Sequence, residues 1–182
     1  NFRVLVVDLD TCGGNVHTVF GESPTHKNIL SFFKGESELQ DLAYQTSVPK
    51  LSVIQGFTDS WHEYNFKKDA VEKLVSTARL LNFDYVLFDL GPGPTFLHLE
   101  VFQKADERII VTTPEPTTIE KNYRFLEAFI SNSIKEMASP EAFLTLQNAI
   151  QAYRAERKSG HFSFRNYLSQ ATGFSIDFFE EL

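Results

Sequence analysis

The sequence predicts an α/β domain in which a mostly parallel sheet is flanked by helices, with a helical appendage at the C-terminal end. Short apolar runs without polar alternation recur along residues 4–112, and this pattern is typical of strands buried on both faces. A helical pattern with apolar residues three and four positions apart separates two of these runs. Strands that alternate with helices indicate a parallel sheet.

The predicted elements follow one another along the chain in the order that such a domain requires. We expect four buried strands, at residues 4–7, 51–54, 85–89 and 108–112. Glycine, proline and spacing patterns predict short helices at residues 16–20, 28–33, 38–44 and 96–102. The clearest early helix is expected at residues 66–82, where the apolar spacing is most regular.

The C-terminal third of the chain is predicted to be helical. Thr117 and Glu120 have the spacing of a capping box, which predicts a helix from Thr117 as N-cap to about residue 131. Ser139 followed by Pro140 predicts the start of another helix, and no strand pattern follows. We therefore expect a core at residues 1–133 and a helical extension at residues 134–182.

Composition excludes several classes of function. The chain has 182 residues and a net charge of −7, which disfavours broad electrostatic binding to nucleic acid. Its single cysteine, Cys12, excludes an intrachain disulfide and a multi-cysteine zinc site and fits a reducing compartment. The apolar runs are far shorter than the roughly 20 residues of a membrane-spanning helix. We expect a cytoplasmic protein without a nucleic-acid partner.

Three aspartates follow two of the predicted strands. Asp8 and Asp10 come at the end of the first strand, and Asp89 ends the third. In open α/β sheets, ligands bind outside the carboxyl ends of the strands, and carboxylates there can hold Mg²⁺ directly or through water. A single aspartate at such a place is more often a cap for a loop or a helix, but three at two strand ends favour a ligand site.

The third strand has the form of a Walker B strand. Four apolar residues, 85–88, are followed by Asp89, which could reach a metal ion, and two residues later by Gly91. A backbone N–H at Gly91 could approach a γ-phosphate because glycine carries no side chain. The motif is short, so it becomes specific only together with its neighbours.

Three blocks together resemble MinD/ParA-type P-loop ATPases of the SIMIBI class. Residues 3–10 (RVLVVDLD) with 13–21 (GGNVHTVFG) are similar to the first switch region of this family. Residues 83–91 (FDYVLFDLG) are similar to its Walker B strand and second switch, and residues 105–117 (ADERIIVTTPEPT) to the next strand and turn. The resemblance is strongest to the MinD branch, which includes regulators of flagellar number.

The resemblance implies a role for each matching residue. Asp10 would position the attacking water for ATP hydrolysis, and Asp8 would support the metal and phosphate region, so both are candidate catalytic residues. Asp89, with Asp8, would hold Mg²⁺, and Gly91 would lie beside the γ-phosphate. Glu115 would lie near the nucleotide or the dimer face.

The resemblance also implies partners and a cellular role. ATP and Mg²⁺ would be the cofactors, and the protein would form an ATP-dependent homodimer with a regulatory protein partner. Peripheral association with the inner membrane is an alternative to a purely cytoplasmic location. The function implied is a switch that regulates the placement or number of flagella, or the division site.

The sequence departs from the family in one respect. The phosphate-binding pattern G-x-x-x-x-G-K-[ST] occurs nowhere in the 182 residues, although the family carries it before the first of the three blocks. We expect this P-loop in a preceding segment of a longer protein.

Two other functions remain open. The chain could be a pseudo-ATPase that acts as a non-enzymatic interaction module. Alternatively, residues 6–11 (VVDLDT) resemble the first motif of haloacid-dehalogenase-type phosphatases, in which the first aspartate is the nucleophile. The later lysine and paired-aspartate motifs of those phosphatases are not in place.

Overall fold

The chain divides into two compact units, residues 1–125 and 126–182, and each is described by itself. In the computed structural model, the described residues are 2–11, 13–23, 27–57, 65–141, 143–144 and 147–148.

The described residues of the first unit form a four-stranded sheet. The strands are β1 (Val4–Asp8), β2 (Tyr44–Gln45), β3 (Leu51–Ile54) and β4 (Tyr85–Asp89), in the spatial order β2-β3-β1-β4. Strand β1 is parallel to both β3 and β4, whereas β2 is antiparallel to β3. The prediction of a mostly parallel sheet flanked by helices is confirmed.

Six helices accompany these strands in the described part of the chain. They are α1 (Val16–Val19), α2 (Ile29–Phe33), α3 (Leu39–Leu42), α4 (Lys68–Leu80), α5 (Phe96–Lys104) and α6 (Pro116–Met137). In the second unit, α6 is followed by helical backbone at residues 140–141, 143–144 and 147–148, so a C-terminal helix is present as predicted. The rest of the helical extension predicted at residues 134–182 lies outside the described residues. None of the helices in the described residues is both long and apolar enough to cross a membrane.

The core lies between the sheet and the helices of the first unit. Leu5 and Val7 of β1 are completely buried, as expected for a strand with a parallel neighbour on each side. Helix α4 contributes Val71, Leu74 and Ala78, which share one face at the spacing that the sequence shows. Each fully buried Val or Leu side chain contributes about 1.5–3 kcal/mol of transfer free energy. This packing therefore stabilises β1 in its position.

The strand predicted at residues 108–112 does not form, and that prediction was wrong. Ile109 is 77% exposed and Val111 80% exposed, and the segment has no strand pairing in the described part of the chain. A groove of about 860 Å³ is lined both by β4 and by residues 108–111. A strand needs a neighbour for its backbone hydrogen bonds, and here the groove occupies the place of that neighbour.

Strand β4 is less buried than its sequence predicts. Tyr85 is 54% exposed and Leu87 49% exposed. Among the described residues, β4 pairs with β1 alone, so its other edge borders the groove. Four consecutive apolar residues predict a strand covered on both faces, but the described chain covers this one only in part.

Several helix boundaries also differ from the prediction; α6, for example, runs to Met137 and not to about residue 131. Two of the differences have a clear physical reason. The helix expected over residues 38–44 ends at Leu42, and Tyr44 pairs instead with Val53 of β3. The capping box does not form, because α6 begins one residue before Thr117 and Glu120 pairs with Arg124 at 2.6 Å. Pro116 is well suited to the first position of a helix because its φ angle is fixed and it has no N–H to satisfy.

Candidate functional site

Three aspartates meet at the carboxyl ends of β1 and β4. Asp8 and Asp89 are direct partners in the register of the two parallel strands. The N–H of Leu9 donates to the carbonyl of Asp89 at 2.8 Å, so the pairing continues past the end of β1 and leads into Asp10. We call Asp8, Asp10 and Asp89 the carboxylate cluster.

Asp8 organises the loop that follows β1. Its side chain is completely buried, and its two oxygens accept from the N–H of Asp10 at 3.0 Å and the N–H of Val16 at 3.3 Å. Gly14 and Gly56 lie so close that a Cβ on either would overlap the Asp8 carboxylate. The two glycines therefore form a cradle in which the carboxylate holds the start of α1.

The pKa of Asp8 is raised, and burial is the main cause. Two backbone N–H donors act in the opposite direction, and the neighbouring charges of Asp89 and Asp10 raise it further. The pKa of Asp89 is also raised, by desolvation first and by repulsion from Asp10 second, although the residue as a whole is exposed. Among the described residues, no basic group contributes to either shift.

Asp10 lies against the loop that follows β4. A Cβ placed on Gly91 would overlap the carboxylate of Asp10 and would lie 2.9 Å from its Cα. That distance is well inside ordinary carbon–carbon contact, so the backbone of Gly91 can approach Asp10 only because it has no side chain. The structure thus brings four of the five predicted site residues together.

Glu115 is the predicted site residue that lies apart from them. It is exposed and immediately precedes α6, where its carbonyl accepts from the N–H of Thr118 and Ile119. These described contacts are those of a helix start and do not involve the carboxylate cluster.

The residues present fit a metal ion whose ligands are mainly water and substrate phosphates. In the described part of the chain, no three His, Cys, Asp or Glu side chains are grouped so that they could hold a metal ion by themselves. Mg²⁺ in phosphate-transfer sites keeps several waters and binds through one or two carboxylates plus substrate phosphates. Asp89, exposed and at the strand end, suits that arrangement better than Asp8, whose oxygens are already engaged.

Two residues at this edge of the sheet escaped the sequence-based prediction. Gly56 follows β3, the other parallel neighbour of β1, and its place after a buried strand could have indicated it. His98, in the first turn of α5, contacts the loops after both β1 and β4. No sequence signal marks it, because its partners are backbone carbonyls 5 and 89 residues away.

Comparison with known proteins identifies relatives that determine positions in cells. The flagellum site-determining protein YlxH of Helicobacter pylori is 34% identical over 126 residues, which cover 67% of this chain and 42% of that protein. A putative septum site-determining protein MinD of Chlorella vulgaris is 24% identical over 73% of this chain and 48% of its own length. The chain therefore spans less than half the length of these curated relatives. No family model matches the chain.

A solved structure shows the same fold. The septum site-determining protein MinD of Pyrococcus horikoshii, complexed with Mg-ADP, superposes with a TM-score of 0.57 at 22% identity, over 66% of this chain and 49% of that one. The three sequence blocks resemble MinD/ParA-type ATPases in the right order, and their aspartates lie at the carboxyl ends of β1 and β4. The relatives found by comparison point to the same family. The chain belongs to the MinD/ParA-type family, in the branch of MinD and the flagellar-number regulators.

Proposed function

We propose that the full-length protein is a MinD-like switch that binds and hydrolyses ATP with Mg²⁺ and regulates the placement or number of a cell structure. The observation that carries this proposal is the contact between Gly91 and Asp10 beside the end of β4. It joins the two loops that would respond to a γ-phosphate. The identity with YlxH favours the flagellum over the division site.

Each residue of the site has a distinct task in this proposal. Asp10 accepts a hydrogen bond from the attacking water and orients it, as a positioned carboxylate can. The N–H of Gly91 donates to the γ-phosphate. Asp8 supports both by holding the loop in place through its two backbone hydrogen bonds. Mg²⁺, when bound, would be held through Asp89 and would neutralise phosphate charge.

The electrostatics of the site support a cation. The charges of the carboxylate cluster oppose one another, since Asp10 raises the pKa of both Asp8 and Asp89. A divalent cation at Asp89 would relieve that repulsion, and it would reverse the sign of the local field for an incoming phosphate.

The groove beside β4 supports an additional strand in the full-length protein. We infer that the P-loop strand of the family occupies this groove and pairs with β4 on one side and with residues 108–112 on the other. Such a strand would cover Tyr85 and Leu87, which are now half exposed. It would also give Ile109 and Val111 the neighbour that they lack in the described chain.

We also propose the partners that the family resemblance implies. The switch would be an ATP-dependent homodimer, with Glu115 near the nucleotide or the dimer face, and a regulatory protein would read its state. It would act in the cytoplasm, with peripheral association with the inner membrane as the alternative location.

The structure disfavours the phosphatase alternative. In that chemistry Asp8 would be the nucleophile, but its side chain is completely buried and both of its oxygens accept backbone hydrogen bonds. A phosphate ester could not reach it without opening the loop. A protein with no ATP binding at all would instead favour the interaction module.

The experiment measures ATP turnover by the full-length protein and its Asp10→Ala variant. We expect Asp10→Ala to lower turnover by at least about 100-fold, within the range of general acid–base contributions, with ATP binding retained. Asp84→Asn is the matched control, because this exposed aspartate precedes the opposite end of β4 and pairs with Arg3 at 3.2 Å. Equal turnover in wild type and Asp10→Ala would refute the role of Asp10.

A further inference from the structure

His98 occupies an unusual place between the two loops of the proposed site. It lies in the first turn of α5, where its N–H donates to the Thr95 hydroxyl that caps the helix at 3.2 Å, and its side chain is completely buried. Its Nδ1 lies 2.9 Å from the carbonyl oxygen of Gly93, in the loop after β4. Its Nε2 lies 3.1 Å from the carbonyl oxygen of Leu9, between Asp8 and Asp10.

The two ring nitrogens of His98 cannot both donate a hydrogen bond when the ring is neutral. Both partners are carbonyl oxygens, which only accept, and a neutral imidazole carries one N–H and one lone pair. A neutral ring can therefore donate to Gly93 or to Leu9, but not to both at once. One tautomer holds the loop after β4, and the other holds the loop that carries Asp10.

We propose that His98 is a positioning residue that couples the Gly91 loop to the Asp10 loop. In the nucleotide-free state the N–H is on Nδ1, which makes the shorter contact, and holds Gly93. When the loop after β4 moves away, water reaches the ring, Nδ1 gives its proton to that water and Nε2 takes one from it, so that Nε2–H then holds Leu9. Leu9 is fixed on its other side by its N–H bond to the carbonyl of Asp89 at 2.8 Å, so this shift acts directly on the backbone that carries Asp10. The task assigned to the coupling rests on the proposed ATPase function, but the two contacts of the ring do not.

Three substitutions separate coupling from packing. In His98→Asn the amide nitrogen takes the place of Nδ1 and can donate to Gly93, whereas in His98→Gln it takes the place of Nε2 and can donate to Leu9. His98→Leu is similar in size and can make neither bond. A residue that only fills space would respond to all three changes through volume alone.

The first measurement is amide hydrogen exchange in the full-length protein without nucleotide. With the N–H on Nδ1 in the nucleotide-free state, we expect His98→Leu to speed exchange about two- to tenfold in residues 91–95, the factor that one ordinary hydrogen bond supplies. Exchange in residues 9–11 and 13–14 should stay near the wild-type rate. His98→Gln should also speed exchange in residues 91–95, but it should slow exchange in residues 9–11 and 13–14, where it adds a donor to Leu9. His98→Asn keeps the donor to Gly93 and should stay near the wild-type rate in both loops. Equal changes in both loops for all three variants would overturn the proposal.

The second measurement is turnover, which shows whether the coupling is used. We expect His98→Leu to lower kcat about tenfold with little change in KM for ATP, and His98→Gln to restore part of the loss. If the wild type does not turn over ATP, the proposed function fails. The exchange pattern in the two loops would still show whether His98 holds them as proposed. If the wild type is active and folded His98→Leu has an unchanged kcat, the coupling role is refuted.

Discussion

The contact between Gly91 and Asp10 gives the sharpest single perturbation of the site. In Gly91→Ala the new Cβ would lie 2.9 Å from the Cα of Asp10 and would overlap its carboxylate. The side chain of Asp10 can rotate away, but its Cα belongs to the backbone. The two loops must therefore separate by roughly 0.6 to 1 Å to reach an ordinary carbon–carbon contact.

That displacement has a predictable cost. Overpacking of this kind lowers the free energy of unfolding by about 1–3 kcal/mol, and a misplacement of about 1 Å at a reacting centre lowers turnover by about 100-fold. The assay is steady-state ATP turnover by the full-length protein, with urea denaturation on the same samples. Nucleotide affinity should fall much less than turnover, because the substitution keeps every charge of the site.

The matched control is Gly35→Ala. Gly35 has a φ of +74° and nothing within 4 Å of a built Cβ, so alanine there costs about 1–2 kcal/mol through backbone conformation alone. It lies outside the carboxylate cluster and should leave turnover unchanged. If Gly91→Ala keeps wild-type turnover, or if Gly35→Ala loses as much, the close approach of the two loops does not matter for hydrolysis.

Three further outcomes test the local structure. Asp8→Ala should lower the free energy of unfolding by at least about 2 kcal/mol in urea titrations, because two N–H groups in the loop after β1 lose their acceptor; an unchanged midpoint would contradict the role of Asp8. Asp89→Asn should raise the Tm of the nucleotide-free protein at pH 7, because the raised pKa means that the folded state disfavours the ionised carboxylate. This advantage should shrink as the pH falls through the folded pKa of Asp89 towards its unfolded value of 3.8, since the wild type then gains stability by binding a proton, and a constant difference would count against the assignment. Thr95→Ala should cost about 1 kcal/mol in thermal unfolding through loss of the α5 cap, whereas Thr95→Ser should cost much less.

Local pattern was sufficient to predict β1 and α4. β1 is apolar up to Asp8 because it lies inside the sheet with a parallel neighbour on each side, and α4 shows helical spacing because only one of its faces meets the core. In both cases the pattern of apolar residues within the element shows which of its faces are buried. The position of Asp8 and Asp89 then followed from the general geometry of parallel sheets.

The remaining features depend on partners that the local sequence does not encode. Residues 108–112 have the composition of a strand, but a strand also needs a neighbour, and the described chain places a groove there. The two-residue strand β2 is too short for any alternation to show. His98 was missed because its two acceptors are backbone carbonyls, which any residue could supply.

In the proposed function, a nucleoside triphosphate binds at the carboxyl ends of β1 and β4. Its most direct test is amide exchange of the full-length protein titrated with a non-hydrolysable ATP analogue and Mg²⁺. We expect slowed exchange in the loops at residues 9–11 with 13–14 and at residues 91–95, and no change at the turn of residues 46–50, which lies between β2 and β3. Failure to bind the analogue, or binding that leaves both loops unprotected, would contradict it.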